Sequence, residues 1–425
     1  MSQSRARRMQ EQSWMYDRLI RFGGPDFYWP MTQEVLNASG MTGWGDVMSV
    51  RAGVRRMADL TREMRRIGDK RRALATQAAQ HGHRETAAEN YFVAAACYTL
   101  AQGPIHEDGN AENLALSACK NDAYAQYIRH ADHHIEAVEV PFVMPGKGGK
   151  KIRTSLPAYL HFPPGVDVAA LQREAKQNKQ NKHNKPLPAM VYLGGMDNFK
   201  ELLVTRPRDP FLDRGMVVLA IDGPGQNEAL ISRGIRVTES NFIDAGRAAM
   251  DYLISRPEID AGRIGIAGIS MGSFWLTQIV AHDHRYKAAA GYYICHENGM
   301  DTIFNRAIPM FKDRYMWMSG YTDEAKFDRF AKKLTLAGLG ARIRCAYLSV
   351  AGEDDDLSPI QCTYDLHDAI KAPNTLVVYR GERHGITDNA DVRADIADWM
   401  RDRLNGKLLK TKRIFKSCRT GLEVA

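Results

Sequence analysis

A serine flanked by glycines is the first residue in this sequence that could do chemistry. Ser270 lies in GIAGISMGSFW, at the centre of a G-x-S-x-G pattern formed with Gly268 and Gly272. The pattern is short enough to arise by chance, so its meaning depends on its context. The preceding RIGIAGI is typical of a buried strand, and the following SFWLTQIVAHD is typical of a helix. A strand, a tight turn and a helix are the setting in which such a serine becomes an exposed nucleophile.

A serine hydroxyl is a weak nucleophile unless a base removes its proton, and that base needs a partner of its own. Two later loops supply these groups in the chain order Ser, Asp, His that an open-sheet hydrolase requires. AYLSVAGEDDDLSPI is a strand followed by an acidic loop, and TLVVYRGERHGITD is a strand followed by His384. We predict Asp355 as the acid and His384 as the general base. Asp354 and Asp356 remain alternatives to Asp355.

Attack by a serine on a carbonyl group creates an oxyanion, which two backbone N–H groups must stabilise. One is expected from Met271, the residue after the serine. The other is expected from the loop after an earlier strand, where YLGGMDNFKE offers Gly195 or Met196. The glycine pair in that loop allows the backbone to approach a substrate closely.

The elements that must position these residues fall into two regions. Up to residue 135 the sequence is helical, with apolar residues at three- and four-residue intervals over 49–82, 84–104 and 111–134. A β-hairpin over 135–165 and a polar, low-complexity loop over 172–186 follow. Strands and helices then alternate, which predicts the α/β class, with a mostly parallel sheet and flanking helices. We predict a helical cap over residues 1–135 and a catalytic domain over residues 136–425.

The composition limits where the protein works and what it binds. The 425 residues carry a formal charge of +8 and are 44% hydrophobic, as in a soluble globular protein. No apolar run is long enough to span a bilayer, the N-terminus lacks the apolar region of a secretory signal, and the six cysteines are scattered. We therefore predict a cytoplasmic protein without membrane contact. The basic stretches, including the tail 407–419, are interpreted as solvated faces, a loop and a frayed end, and not as a nucleic-acid site.

Several other residues are candidates for a site. The cluster RHADHHIE contains His130, His133 and His134 but no convincing ligand set, so we interpret it as a polar helix end and predict no metal or cofactor. MFKDRYMWMSGY, which contains Trp317, could pack in the core or line an apolar substrate pocket. His296 and Glu297 follow a strand and could face the same pocket.

Three segments resemble one known family. GGMDNFKE over 194–201 resembles the G-G-L-[ED]-x-x-K-E element of the FrsA-like α/β-hydrolases, and IDGPGQNE over 221–228 resembles their D-G-P-G-Q-G-E element. ETAAENYFVAAACY over 85–98 is similar to a cap helix of that family. The sequence departs from the family pattern at Asn227 and at Ser273, where glycine is usual.

The resemblance implies an α/β-hydrolase core with an N-terminal helical cap, no metal and a homodimer. Within the family the chain resembles 2,6-dihydroxypseudooxynicotine hydrolase and the fungal hydrolases that shorten polyketide pigment precursors. These relatives cleave a carbon–carbon bond beside a ketone, and their triad carries over onto Ser270, Asp355 and His384. A glutamate that contributes to the site of the nicotine-pathway relative corresponds here to Asp197, which is one methylene shorter.

The expected function is hydrolysis of a carbon–carbon bond in a small aryl ketone or polyketide-like β-dicarbonyl compound. A carboxylesterase or lactonase would use the same triad with an easier leaving group. A hydrolase fold retained only for ligand binding is a third alternative, and the complete triad argues against it. A polar pocket group able to protonate a carbanion, such as Asp197, would distinguish the first two.

Overall fold

Five helices lie in the described part of the N-terminal region of the computed structural model. The structure describes residues 6–24, 43–145, 148, 150–176, 185–387, 389–408 and 410–420. The helices are α1 (Arg7–Gly23), α2 (Trp44–Gly53), α3 (Met57–Gln80), α4 (Arg84–Gln102) and α5 (Ala111–His130). The prediction of one helix over 49–82 was wrong, because α2 ends and α3 begins within it. The Asp59 carboxylate accepts the N–H groups of Arg55 and Arg56, which caps a new helix and leaves Arg56 extended.

Nine strands form a single sheet in the order β1-β2-β4-β3-β5-β6-β7-β8-β9. Strands β1 and β2 form an antiparallel hairpin, β2 pairs with β4 in an antiparallel orientation, and the strands from β3 to β9 are parallel to one another. The bounds are Ile135–Pro145, Lys151–His161, Leu187–Leu193, Val217–Ile221, Ile259–Ile269, Ala288–Tyr292, Ala346–Gly352, Asn374–Tyr379 and Lys412–Lys416. The predicted hairpin and mostly parallel sheet are confirmed.

The last strand corrects our interpretation of the basic tail as a frayed end. Residues Lys412–Lys416 pair in parallel with β8, from Thr375 opposite Lys412 to Tyr379 opposite Lys416. The Arg380 guanidinium lies 4.1 Å above the centre of the Phe415 ring. The segment KRIFK contains only two large apolar side chains among basic ones, so its periodicity gave no strand signal.

Nine helices connect or follow the strands after the hairpin in the part of the chain described. They are α6 (Val168–Lys176), α7 (Lys200–Leu203), α8 (Asn227–Ile231), α9 (Asn241–Ile254), α10 (Met271–His282), α11 (Pro309–Ser319), α12 (Glu324–Ala331), α13 (Ile360–Ala369) and α14 (Asn389–Leu404). Short 3₁₀ or π turns lie at Leu212–Arg214, Thr302–Arg306 and Gly340–Arg342. The loop predicted over 172–186 is helical up to residue 176, and residues 177–184 lie outside the described ranges.

The sheet separates two apolar layers. Val191 and Leu193 of β3 pack in the layer that contains Trp275 of α10, whereas Met190 and Tyr192 pack in the layer that contains α14. Successive side chains of a strand point to opposite faces, so a strand covered on both faces is apolar throughout. In the described ranges, no helix is long and apolar enough to cross a membrane.

The N-terminal helices and the segment between β6 and β7 pack together above the sheet. The Ala6 N–H donates to Asp313 Oδ1 at 2.9 Å, and Arg8 Nη2 donates to the Ala307 carbonyl at 2.8 Å. Helix α11 therefore connects the cap with the carboxyl ends of the strands. The division into a cap over 1–135 and a catalytic domain over 136–425 stays our proposal, and the β6–β7 segment contributes to the same cover.

Candidate active site

Ser270 lies at the sharp turn between β5 and α10. Its backbone adopts φ 54° and ψ −122°, and its N–H donates to the Tyr292 carbonyl at 3.0 Å. A Cβ atom at position 272 would lie 2.7 Å from the Leu193 carbonyl oxygen, so glycine is required there. The turn thus lifts the serine hydroxyl above the sheet at the N-terminus of α10.

The histidine and acid predicted from the sequence lie beside this serine. Ser270 Oγ is 3.0 Å from His384 Nε2, and His384 Nδ1 is 2.9 Å from Asp355 Oδ2. The Asp355 side chain is 1% exposed, and that of His384 is 13% exposed. Asp355 Oδ1 also accepts the N–H groups of Leu357 at 2.8 Å and Ser358 at 3.0 Å. These bonds hold the carboxylate against the imidazole, which is the arrangement that lets histidine accept a serine proton.

The structure distinguishes Asp355 from its two acidic neighbours. Asp354 and Asp356 are exposed, and the Asp356 carboxylate lies 3.9 Å from Arg383. The three loops that follow β5, β7 and β8 end at the same edge of the sheet, because these strands are parallel. This edge is where open α/β sheets place their ligands.

The loop after β3 lies against the serine. A Cβ atom at Gly195 would be 3.0 Å from Ser270 Cβ. The Gly195 N–H donates to Asn198 Oδ1 at 2.8 Å. Within the described ranges, neither the Met196 nor the Met271 N–H has a protein acceptor. Of the two predicted alternatives in this loop, the structure therefore favours Met196, whose role as an oxyanion donor stays a prediction.

The two sequence elements that resemble the family meet in a buried cluster of charges below this loop. Lys200 Nζ contacts Glu201 Oε1 at 2.7 Å, Glu228 Oε2 at 2.6 Å and Asp222 Oδ2 at 3.4 Å. Lys120 of α5 donates to the same Glu201 oxygen at 2.7 Å. Burial alone would raise the pKa of Glu201, but the two ammonium groups outweigh it and lower that pKa. The cluster joins the cap to the loop.

Asn227 explains one departure from the family pattern. Its φ is 26°, a left-handed value that glycine adopts freely and that asparagine tolerates better than most residues. Its Nδ2 donates to the Asn198 carbonyl at 2.6 Å, and its Oδ1 accepts from Arg314 Nη2 at 3.3 Å. The amide therefore supplies support for the loop that glycine could not.

Asp197 lies in the loop, next to an arginine that the sequence analysis missed. Arg314 Nε is 3.0 Å from Asp197 Oδ1 and donates to the Met196 carbonyl at 2.7 Å. The Asp197 side chain is 22% exposed, and the charge of His384 acts on it. Burial raises the pKa of Asp197, and the charges of Arg314, His106 and His384 oppose the rise without cancelling it. Asp197 thus lies in the loop after β3 within reach of the charge of His384, and its direct contact is with Arg314.

Trp317 lies one turn beyond Arg314 on α11. Its ring stacks on His106 with centroids 5.7 Å apart, and its Nε1 donates to Asp108 at 2.9 Å. His106 Nδ1 is 3.0 Å from Asp313 Oδ2. Trp317 also borders a cavity of about 200 Å³ between the cap and α8. Trp317 therefore packs in the core. The cavity that it borders is lined by Glu107, Asp108 and Arg236 and by none of the triad residues, so a role for Trp317 in substrate binding stays a prediction.

His296 and Glu297 do not present free polar groups to the site. His296 is buried, with Nδ1 3.2 Å from Thr363 Oγ1 and Nε2 3.4 Å from the Tyr347 hydroxyl. Both Glu297 oxygens accept from Thr302, at 2.8 Å and 3.0 Å, and so cap the π turn. Their side chains face α13 and the π turn, so we assign them no substrate contact.

The histidine cluster after α5 is also held by protein contacts. His133 Nε2 lies 3.0 Å from His161 Nδ1, and His134 Nε2 lies 3.0 Å from Glu136. His130 Nδ1 lies 2.9 Å from the Gln126 carbonyl. Among the residues described, no group of three or more His, Cys, Asp or Glu side chains is arranged to hold a metal ion.

Comparisons with known proteins agree with this fold and site. The sequence pattern of the prolyl oligopeptidase family matches residues 206–407. The crystal structure of 2,6-dihydroxy-pseudo-oxynicotine hydrolase superposes with a TM-score of 0.68 and 21% identity, over 90% of this chain and 99% of that one. The chain is therefore an α/β-hydrolase, and both the predicted fold class and the predicted hydrolase class are confirmed.

Within that class, the predicted resemblance is also confirmed. The chain is 24% identical over 223 residues to 2,6-dihydropseudooxynicotine hydrolase of Paenarthrobacter nicotinovorans, an alignment covering 51% of this chain and 58% of that protein. It is 25% identical over 345 residues to hydrolase ORFZ of Pyricularia oryzae, covering 78% of this chain and 70% of that protein. The chain spans about half the length of five further fungal hydrolases that it matches, among them hydrolase phmG of Phaeosphaeria nodorum.

Proposed function

We propose that this protein is a serine hydrolase that cleaves a carbon–carbon bond beside a ketone, in a small aryl ketone or polyketide-like β-dicarbonyl substrate. The two hydrogen bonds that link Ser270 to His384 and His384 to Asp355 are the observation that supports the hydrolase mechanism. The name of the pseudooxynicotine relative supports an aromatic ketone as the substrate class. No resident metal or cofactor is part of the proposal.

The reaction begins when Ser270 Oγ attacks the ketone carbon and His384 Nε2 takes its proton. Asp355 stabilises the imidazolium that forms, and the N–H groups of Met196 and Met271 hold the oxyanion. When the tetrahedral intermediate collapses, the carbon–carbon bond breaks and its electron pair passes to the leaving carbon as an enolate. That carbon takes a proton from the Asp197 carboxyl group, and the proton that His384 took from Ser270 replaces it, so His384 is neutral again. Water then attacks the acyl-serine while His384 removes its proton, and the carboxylic acid leaves.

Asp197 is the group that favours carbon–carbon cleavage over ester cleavage. An alkoxide leaves an ester readily, whereas an enolate needs a proton at carbon as the bond breaks. A carboxyl group whose pKa is raised by burial, beside the triad, holds that proton nearer to neutral pH. Arg314, whose Nε lies 3.0 Å from Asp197 Oδ1, orients the carboxyl group.

The test compares turnover of 1-phenylbutane-1,3-dione with turnover of phenyl acetate. Ser270→Ala should abolish both reactions. Asp197→Asn keeps the shape but cannot transfer a proton, so it should slow diketone cleavage by about 10²-fold and leave ester cleavage within about twofold. Asp354→Asn, on the exposed neighbour of Asp355, is the matched control and should change neither.

A carboxylesterase or lactonase is the second candidate, because the same three residues would suffice for it. Wild-type turnover of the ester alone, unaffected by Asp197→Asn, would establish that candidate. Binding of either compound without turnover would favour a ligand-binding role. We also propose a cytoplasmic homodimer, and light scattering of the purified chain tests the dimer through its mass in solution.

A further inference from the structure

Two peptide groups carry the N–H donors of the proposed oxyanion hole. The Met196 N–H belongs to the Gly195–Met196 peptide, and the Met271 N–H belongs to the Ser270–Met271 peptide. In a trans peptide, the C=O and N–H bonds lie in one plane and point in opposite directions. Whatever holds the carbonyl oxygen of Gly195 or of Ser270 therefore fixes the direction of the N–H group on the far side.

A side chain from the loop after β4 holds the first peptide. Gln226 Nε2 donates to the Gly195 carbonyl at 2.7 Å and to the Gly194 carbonyl at 3.1 Å. Its Oε1 accepts the Gly223 N–H at 2.8 Å. Gln226 is 1% exposed, so water does not compete for these bonds. Glutamine is suited to this position because one amide group must donate on one side and accept on the other.

A side chain from α10 holds the second peptide in the same way. The Ser270 carbonyl accepts the Ser273 N–H at 2.8 Å and also the Ser273 Oγ hydroxyl at 2.7 Å, and that Oγ accepts the Cys295 N–H at 2.9 Å. Ser273 is fully buried, and a Cβ atom at Gly291 would lie 3.0 Å from its own Cβ. The neighbouring strand thus leaves room for the hydroxyl-bearing side chain.

We propose that Gln226 and Ser273 are positioning residues that aim the two oxyanion N–H groups at the reacting oxygen by holding the carbonyl of each peptide from behind. The proposal rests on the proposed serine mechanism and deepens it. A hydrogen bond to a carbonyl oxygen also polarises the peptide and strengthens its N–H as a donor. Both effects act on the tetrahedral intermediate and not on the planar ketone, so they change kcat more than KM.

The experiment measures kcat, KM and the inhibition constant of 2,2,2-trifluoroacetophenone, a ketone that forms a tetrahedral adduct with a serine. Ser273→Ala removes the donor at nearly constant shape, and Ser273→Thr retains it. Gln226→Met removes both amide contacts. Thr99→Val removes a similar buried bond from a hydroxyl to a helix carbonyl (2.8 Å) in the cap and is the matched control.

Loss of an oxyanion donor costs about 10²–10³ in kcat, and loss of its support should cost about tenfold. Ser273→Ala and Gln226→Met should therefore lower kcat and weaken the inhibitor by the same factor, with KM within twofold. Ser273→Thr and Thr99→Val should resemble the wild type. If Ser273→Ala changes the melting temperature but neither kcat nor the inhibition constant, the proposal is wrong. This result stands even if Gln226→Met does not fold.

Ser270→Ala separates this proposal from the mechanism on which it rests. If Ser270→Ala retains turnover, the serine mechanism itself is wrong and the oxyanion assignment fails with it. If Ser270→Ala abolishes turnover while the Ser273 and Gln226 variants behave as wild type, the mechanism stands and the support role alone is refuted.

Discussion

The backbone at Ser270 stores strain that can be measured separately from catalysis. Its φ of 54° with ψ of −122° is a conformation that glycine adopts easily and other residues adopt at a cost of about 1–3 kcal/mol. Ser270→Ala and Ser270→Gly both remove the hydroxyl and its contact with His384. The difference between their unfolding free energies therefore equals the strain minus about 0.5–1 kcal/mol, because glycine loses more chain entropy on folding. We expect Ser270→Gly to be the more stable by about 1.5 kcal/mol.

Urea unfolding followed by circular dichroism measures this difference, and both variants should be inactive. Ala73→Gly, at an exposed position of α3, is the matched control and should destabilise the protein by about 1 kcal/mol. Replacing alanine with glycine is therefore expected to raise the unfolding free energy at position 270 and to lower it at position 73. A Ser270→Gly variant that is no more stable than Ser270→Ala would refute strain at the turn.

Three further predictions concern the acid, the charge cluster and a buried histidine. Asp355→Asn should lower kcat by about 10⁴-fold, whereas Asp356→Asn should leave the turnover rate unchanged. Lys120→Met should lower the unfolding free energy by about 3 kcal/mol, because Glu201 then keeps only one ammonium partner. In a double-mutant cycle, Lys120→Met with Glu201→Gln should lower the unfolding free energy by less than the sum of the two single changes. Burial lowers the pKa of His367 from 6.5 to about 4, so the unfolded chain binds a proton first as the pH falls. The contribution of His367 to stability should therefore be constant above pH 6.5 and fall by about 3 kcal/mol between pH 6.5 and 4. His367→Gln should reduce the total decrease in pH-dependent urea unfolding by that amount, while His161 and His296, whose pKa values burial also lowers, keep their share.

The sequence predicted the catalytic edge of the fold because its signals are local. Each of the strands β5, β7 and β8 is a short apolar run, and each candidate residue follows its strand within a few positions. Parallel strands bring such loops together whatever their separation along the chain. The choice between Asp355 and its neighbours was beyond this reasoning, because it depends on which carboxylate receives the N–H groups of Leu357 and Ser358.

The cap residues near the site could not be predicted by the same reasoning. Arg314 lies in a segment rich in methionine and aromatic residues, so we interpreted the segment as packing in the core or lining an apolar pocket and did not single out the arginine. His106 and Asp313 are separated by 207 positions and meet only because α11 packs against the loop after α4. Contacts of this kind depend on how two helical layers dock, and no periodicity within either segment encodes them.

The two sequence elements that resemble the FrsA-like hydrolases show why a pattern can be specific without containing a catalytic group. Lys200, Glu201 and Asp222 meet in the buried cluster, and Gln226 holds the peptide that carries the Met196 N–H. A buried charge or amide tolerates few alternatives, because each change leaves a partner unsatisfied in a medium of low polarity. The G-x-S-x-G pattern, by contrast, needs only a turn that small residues permit. The longer elements are therefore the more diagnostic part of this sequence, although in the proposed mechanism most of their side chains hold the loop and do not touch the substrate.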